Sequence, residues 1–299
     1  MVGDRVVELP CPERYDLVQT MTSTRLGPYD PSAELDGDAF WRATRTPAGP
    51  ATYRVARMEG RVRVDAWGAG CDWVEHNAAA LTGLLDDPSG FMPEHPVVRQ
   101  LARRFAGAHL PRTLMVFERL VPTILQQLVT WREALRSIRL IPAAHGEDAP
   151  GPRPLRLLPD AETLGHLPPY AFTPLGALAK HARAIRAAAR VANKLESLAV
   201  ARYEDAAAVM HAIPGIGPWT SALTLAMVQG HADAVPLNDL HLPREVSWAL
   251  VGEREADDAR MLELLAPFAG HRWRVIKLLR AGGPKLPRRR PRKPMRPIR

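Results

Sequence analysis

A tight turn, Ile213-Pro214-Gly215-Ile216-Gly217-Pro218, joins two stretches that read as helix, and it constrains the chain more than any other feature. Before it, Tyr203 to His211 is alanine-rich. After it, Trp219 to Gln229 carries Leu223, Ala226 and Met227 at helical spacing, and Gly230 reads as a stop. Two glycines separated by one apolar residue permit unusual dihedrals and close approach of another backbone. The first amides of the second helix point outward, with the positive end of its dipole behind them. Such a terminus holds anions, and a nucleic-acid phosphate fits it. Taken alone, a Gly/Pro turn between helices is most often a plain connection.

The residues downstream sharpen the reading. Asp239 follows Trp219 by 20 residues, past a Gly230-His231-Ala232-Asp233 loop and a Val235-Pro236-Leu237 run, just before a helical pattern over Leu240 to Leu250. Hairpin, aromatic and acid at this spacing resemble the helix-hairpin-helix superfamily of DNA glycosylases, and within it the AlkA-like 3-methyladenine DNA glycosylases. The resemblance implies an α+β fold: a small N-terminal antiparallel sheet domain followed by an all-α helix-hairpin-helix core. It implies a base-excision repair enzyme that flips a damaged base, an alkylated purine, out of double-stranded DNA and hydrolyses its N-glycosidic bond. A monomer with no obligate protein partner is expected. A non-catalytic protein binding damaged or bent DNA on the same scaffold is the alternative, although binding alone needs no acid at Asp239.

Cleaving a base from deoxyribose builds positive charge on the sugar. An ionised carboxylate near the sugar carbon stabilises that charge and orients water. Asp239 is the candidate catalytic residue, and its place at a helix start would hold the carboxylate on backbone N–H groups and keep its pKa low. The plainer role is an N-cap; Asn238 could cap instead, and Asp233 is a second nearby acid. Trp219 stands where the resemblance puts the Schiff-base lysine of enzymes with lyase activity. An indole forms no imine, so hydrolysis without strand cleavage is expected. Trp219 would also wall the pocket for a cationic base, adding ~1–2 kcal/mol of cation–π attraction.

The second informative stretch is Phe117 to Trp131, FERLVPTILQQLVTW. It resembles the glycosylase pattern in which one helix ends in Q-L-V-[ST] and the next begins. By that resemblance Leu128 is the wedge that fills the gap left by a flipped nucleotide. Gln127 beside it, Gly215, Gly217 and Thr220 complete the DNA-binding set. The backbone carbonyls of His211, Ile213 and Gly215 would hold a sodium or potassium ion bridging to phosphate; no other cofactor is implied. Two positions depart from the family pattern. Leu223 replaces the second pocket aromatic one turn after Trp219. The closing P-W-R-S-like segment reads Gly270-His271-Arg272-Trp273-Arg274, so that either His271 or Trp273 lines the pocket. His231, His241 and His271 lack metal-ligand spacing.

Three segments are expected: an N-terminal α+β domain over 1–90, a helical core over 91–282, and a basic Pro-rich tail over 283–299. In the first, Val6 to Leu9 is a short apolar run and Tyr15 to Met21 reads as a helical turn or two. Phe40 to Thr46 reads as a strand. Tyr53 to Met58 and Arg61 to Trp67 read as a hairpin, with Val62, Val64 and Ala66 at the period of a half-buried strand. Trp73 to Leu85, Pro96 to Ala106 and Pro174 to Leu198 read as helix. The proline-rich stretch 141–170 reads as the loosest internal part, a long loop with one short helix near Ala161 to Leu164. The chain carries 40 Lys and Arg against 32 Asp and Glu, but eight of the positive charges lie in 281–299. The body is therefore neutral, and its charge total identifies no partner. Cys11 and Cys71 cannot build a four-thiolate cluster and are expected free and buried. No apolar run approaches the ~18 residues that span a membrane, and no signal peptide is visible, so a cytoplasmic location is expected.

Overall fold

The structure, a computed structural model, describes residues 3–287. Most of the basic tail expected from residue 283 lies outside the described residues.

Five strands, β1 (Arg5–Pro10), β2 (Ala33–Asp36), β3 (Ala39–Thr46), β4 (Gly49–Met58) and β5 (Arg61–Trp67), form one antiparallel sheet in the order β1-β5-β4-β3-β2. Alternation along the strands builds it. Val62, Val64 and Ala66 are buried on one face with Phe40, Tyr53 and Val55. This face packs on α1 (Leu17–Thr22) and α2 (Cys71–Leu81), through Leu17, Met21, Val74, Ala78 and Leu81. On the opposite face Trp41 stacks on Trp67 at 5.3 Å, and Leu155 and Leu157 close over them. Asp65 is fully buried there, held by Arg54 and Arg63.

That second cover corrects the expectation for 141–170. The stretch turns back on itself through an antiparallel bridge between Asp148 and Arg156, which places its leucines on the sheet. Prolines preclude a helix but not a packed loop when apolar residues stand between them.

Twelve helices follow among the described residues: α3 (Pro96–Arg104), α4 (Val116–Leu125), α5 (Trp131–His145), α6 (Ala161–His166), α7 (Pro169–Phe172), α8 (Ala179–Ala189), α9 (Ala192–Glu196), α10 (Tyr203–His211), α11 (Pro218–Val228), α12 (Leu242–Val251), α13 (Asp258–Leu265) and α14 (Arg272–Gly282). The α5 helix runs through Pro142 to His145, contrary to the proline reading, because a proline near a helix end removes only one ladder bond. The single helix expected over 174–198 divides at Arg190 and Val191 into α8 and α9. Both cysteines are free, as expected, but half-buried rather than buried. Among the described residues no helix is long and apolar enough to cross a membrane.

The helices enclose two cores. One gathers α4, α5, α8 and α10 around Leu120, Ile124, Ile138, Ile185 and Met210; the other gathers α3, α12, α13 and α14 around Leu101, Val246, Leu265 and Ile276. Between them lies α11. It gives Leu225 and Val228 to the first core and Ala226 and Met227 to the second. A helix apolar on every side belongs at the centre of a fold, and this one carries the hairpin at its start. The sheet joins the helical part through Glu118 of α4. Its carboxylate accepts from Arg42 Nη2 at 2.9 Å, Thr44 Oγ1 at 2.9 Å and the Arg45 N–H at 3.0 Å.

Candidate active site

The hairpin between α10 and α11 anchors itself from within. Ile213 and Ile216 sink into the first core, and the Ile216 N–H donates to the Ile213 carbonyl at 3.0 Å. Gly215 has φ +90°, and a Cβ there would meet Ala184 Cβ of α8 at 2.9 Å. Glycine is therefore required twice over, by dihedral and by space. Around Gly217 a Cβ would meet nothing within 4 Å. Pro218 opens α11, which leaves the first-turn amides free of helical partners.

Asp239 lies just ahead of α12. Its Oδ1 accepts the N–H groups of His241 and Leu242, both at 2.8 Å, and its Oδ2 accepts the Trp219 indole N–H at 2.7 Å. The backbone bonds ahead of α12 and the bond from the indole thus fall on separate oxygens of one carboxylate. Burial pushes its pKa up. The hydrogen bonds from Trp219, His241 and Leu242 and the charge of Arg280 outweigh burial and hold the carboxyl below its usual range. The other two candidates for these roles are committed elsewhere. Asp233 binds Arg272, accepting its N–H at 3.0 Å and its Nε at 2.8 Å. Asn238 has φ +65° and donates its N–H to Asp258 Oδ2 at 2.7 Å.

Leu128 stands on the turn between α4 and α5. It is 81% exposed and has φ +56°, a conformation costing a non-glycine residue about 1–2 kcal/mol. The turn is pinned at its exit by a capping box, in which Thr130 and Glu133 satisfy each other's backbone N–H groups. Gln127 turns its side chain inward: Nε2 donates to the Gly215 carbonyl at 3.0 Å and to Thr220 Oγ1 at 2.8 Å. Thr220 is 2% exposed, and its hydroxyl accepts the Gln127 amide N–H within the turn.

The fold draws these residues from three separate segments: Gln127, beside Leu128, is hydrogen-bonded to Gly215 and Thr220, and the neighbouring Trp219 to Asp239. It does not bring the expected pocket residues together equally. Trp273 is 5% exposed and packs in the second core; it faces inward from the first turn of α14, a register that its loop-like sequence context concealed. His271, two residues earlier, is half-buried against Phe91 with ring centroids 5.2 Å apart. Leu223 is half-buried against the second core. A cleft of about 870 Å³ begins at His241 and Leu242 and runs between α12 and α14, lined by charged groups including Arg244, Glu245 and Arg280. Arg280 pairs with Glu245 at 3.1 Å.

One residue of the assembly had no signal in the sequence. His181, buried in α8, donates from Nε2 to the Gln127 carbonyl at 2.8 Å and accepts the Leu178 N–H on Nδ1 at 3.2 Å. The backbone N–H of Leu178 fixes the tautomer. Burial lowers the pKa of His181, outweighing the bond to Gln127, so the ring is neutral.

No family model matches the chain, and no curated protein matches it in sequence. Solved structures do match it. A 3-methyladenine DNA glycosylase from Archaeoglobus fulgidus superposes with a TM-score of 0.75 at 20% identity, covering 91% of this chain and 97% of that one. An 8-oxoguanine glycosylase/lyase from Clostridium acetobutylicum, in complex with double-stranded DNA, superposes with a TM-score of 0.71 at 12% identity, covering 93% and 97%. At such identities the likeness is one of architecture: the chain has the α+β fold of the helix-hairpin-helix DNA glycosylases.

Proposed function

We propose that the protein is a monofunctional DNA glycosylase of base-excision repair, acting in the cytoplasm on double-stranded DNA. It flips a damaged purine, hydrolyses the N-glycosidic bond and leaves an abasic site in an uncut strand. The observation that carries this is the Asp239 carboxylate, kept ionised by three hydrogen bonds, one of them from Trp219 next to the hairpin.

In this reading the hairpin amides near Gly215 and Gly217 take a phosphate, and Leu128 enters the stack where the nucleotide has left. Asp239 stabilises the positive charge that grows on the sugar as the base departs. The residue at the other end of its hydrogen bond is an indole, which cannot form an imine with the sugar. The indole plane contains its N–H bond, so its faces lie across that bond and can stack on an extruded base. An alkylated, cationic purine gains most from such stacking, about 1–2 kcal/mol. The carbonyls of His211, Ile213 and Gly215 would hold a monovalent cation between hairpin and phosphate. Those of Ile213 and Gly215 each accept one hydrogen bond already and keep a second lone pair for it.

The test is single-turnover base release from duplexes carrying 7-methylguanine or hypoxanthine. Wild type releases free base, nicks the strand only after alkali, and gives no borohydride-trapped complex. Asp239→Asn binds the same duplexes and releases base at least ~100-fold more slowly. Equal binding with no release by either protein overturns the enzymatic reading, and a trapped covalent complex overturns the monofunctional one.

A further inference from the structure

Two functions in the assembly are assigned to separate places: phosphate capture to the hairpin, insertion to the Leu128 turn. Helix α8 lies beneath both. His181 contacts the turn through the Gln127 carbonyl. Ala184, three residues on and so on the same face of the helix, is the surface on which Gly215 rests. From above, Gln127 closes the circuit, with its side-chain amide on the Gly215 carbonyl and on Thr220. Both faces of the Gln127 residue are therefore taken, the main-chain oxygen by α8 and the side chain by the hairpin.

We propose that Gln127 and His181 are a positioning pair that makes the hairpin and the Leu128 turn one rigid unit, so that seating a phosphate and inserting Leu128 are a single event. The proposal rests on the glycosylase reading above. Neither residue need touch DNA. His181 is buried, and its ring nitrogens are both bound within the protein. The half-buried Gln127 spends its amide N–H groups on the hairpin.

A loop of five residues between two helices would adopt the positive φ of Leu128 only if something outside the loop held it there. The His181 donor is placed to do so, one peptide before the strained residue. A phenylalanine at 181 fills the space of the imidazole but offers no donor. A glutamine there restores a donor at nearly the same reach.

The experiment uses the full chain and a duplex carrying a tetrahydrofuran abasic analogue with 2-aminopurine beside it. Fluorescence anisotropy of an end label reads binding, and 2-aminopurine emission reads insertion into the stack. Leu128→Ala sets the signal without a wedge. His181→Phe is expected to bind within about threefold of wild type, a difference under ~1 kcal/mol, and both His181→Phe and Gln127→Leu are expected to lose most of the emission change. His181→Gln is expected to regain most of it. Gln127→Leu sits at the half-buried surface, so it remains informative if His181→Phe fails to fold.

A full emission change in both His181→Phe and Gln127→Leu overturns the proposal. So does a loss in His181→Phe that His181→Gln does not repair, since ring shape rather than the donor would then matter. If wild type binds no duplex at all, the DNA reading itself has failed and this inference with it. If wild type binds and responds but the variants respond equally, only this inference falls.

Discussion

Trp219 Nε1 lies 2.7 Å from Asp239 Oδ2, and the indole donates its hydrogen to the carboxylate. The arrangement makes the pKa of the acid depend on a residue in another helix. In Trp219→Phe that donor is gone while burial remains, so the folded pKa of Asp239 rises. The proposed reaction needs the ionised form and would fail as pH falls through that pKa. The acid limb of the pH–rate profile is therefore expected to move to higher pH, with the rate above the limb reduced by less. The same sign governs stability. A carboxyl held below its unfolded pKa contributes stability above that unfolded value and loses it as pH falls through the folded one. Trp219→Phe should lose less stability than wild type between neutral and acid pH. Urea titrations at several pH values check it.

Leu128→Gly separates strain from function. Removing the side chain relieves the positive φ, worth about 1–2 kcal/mol, and costs about 0.5–1 kcal/mol of backbone entropy. The midpoint of urea unfolding is expected to hold or rise slightly. Base release under single-turnover conditions is expected to fall at least ~10-fold, the equivalent of about 1.4 kcal/mol. A fall in both would mean that Leu128 packs rather than inserts.

Gly215→Ala faces two penalties at one position, a dihedral disfavoured for alanine and the 2.9 Å approach to Ala184. Together they should cost roughly 2 kcal/mol. A lowered heat-denaturation midpoint and weaker binding to duplex DNA are both expected, because the displaced strip of backbone is the one that would hold the phosphate. Calorimetry and anisotropy read the two effects on one preparation.

Glu118→Ala tests the seam between the sheet and the helices. Arg42 is almost wholly buried against Glu118, and the nearby carboxylate keeps its guanidinium charged despite that burial. Removing one member of such a pair leaves an uncompensated charge and costs about 3–5 kcal/mol. Urea unfolding of the variant is expected at much lower concentration. Arg42→Met with Glu118→Met should recover part of the loss.

The strands and helices that the sequence displays are those whose periodicity is local. The alternation Val62, Val64, Ala66 and the spacing of Leu223, Ala226 and Met227 are read without tertiary knowledge. The 20-residue interval from Trp219 to Asp239 marked both ends of the site, but not the bond between them. An interval carries no orientation, and so no sign of which atom of the indole meets the acid. Thr220 follows the hairpin in the chain, while its hydroxyl is bound by Gln127, 93 residues away. Trp273 is a pocket candidate through the resemblance of Gly270 to Arg274 to a P-W-R-S-like segment, while its direction is set by the register of α14. His181 sits in an alanine-rich helix whose sequence says nothing of what lies above it. The leucines at 155 and 157 were obscured by prolines, although they cover one face of the sheet.

The capping box at Thr130 and Glu133 has a kinetic meaning as well as a structural one. It closes the loop from the far side only two residues after Leu128, so the exposed leucine is carried ready-made rather than assembled on contact. In the proposed function, where long stretches of undamaged duplex must be inspected, a permanently extended probe would shorten each inspection. There is little local chain entropy left to lose at the moment of entry. The cost falls on the duplex, which must yield a base to a fixed obstacle, and base pairs weakened by damage yield most readily. Discrimination between sound and damaged sites would then begin in the mechanics of the DNA, before any base reaches Asp239.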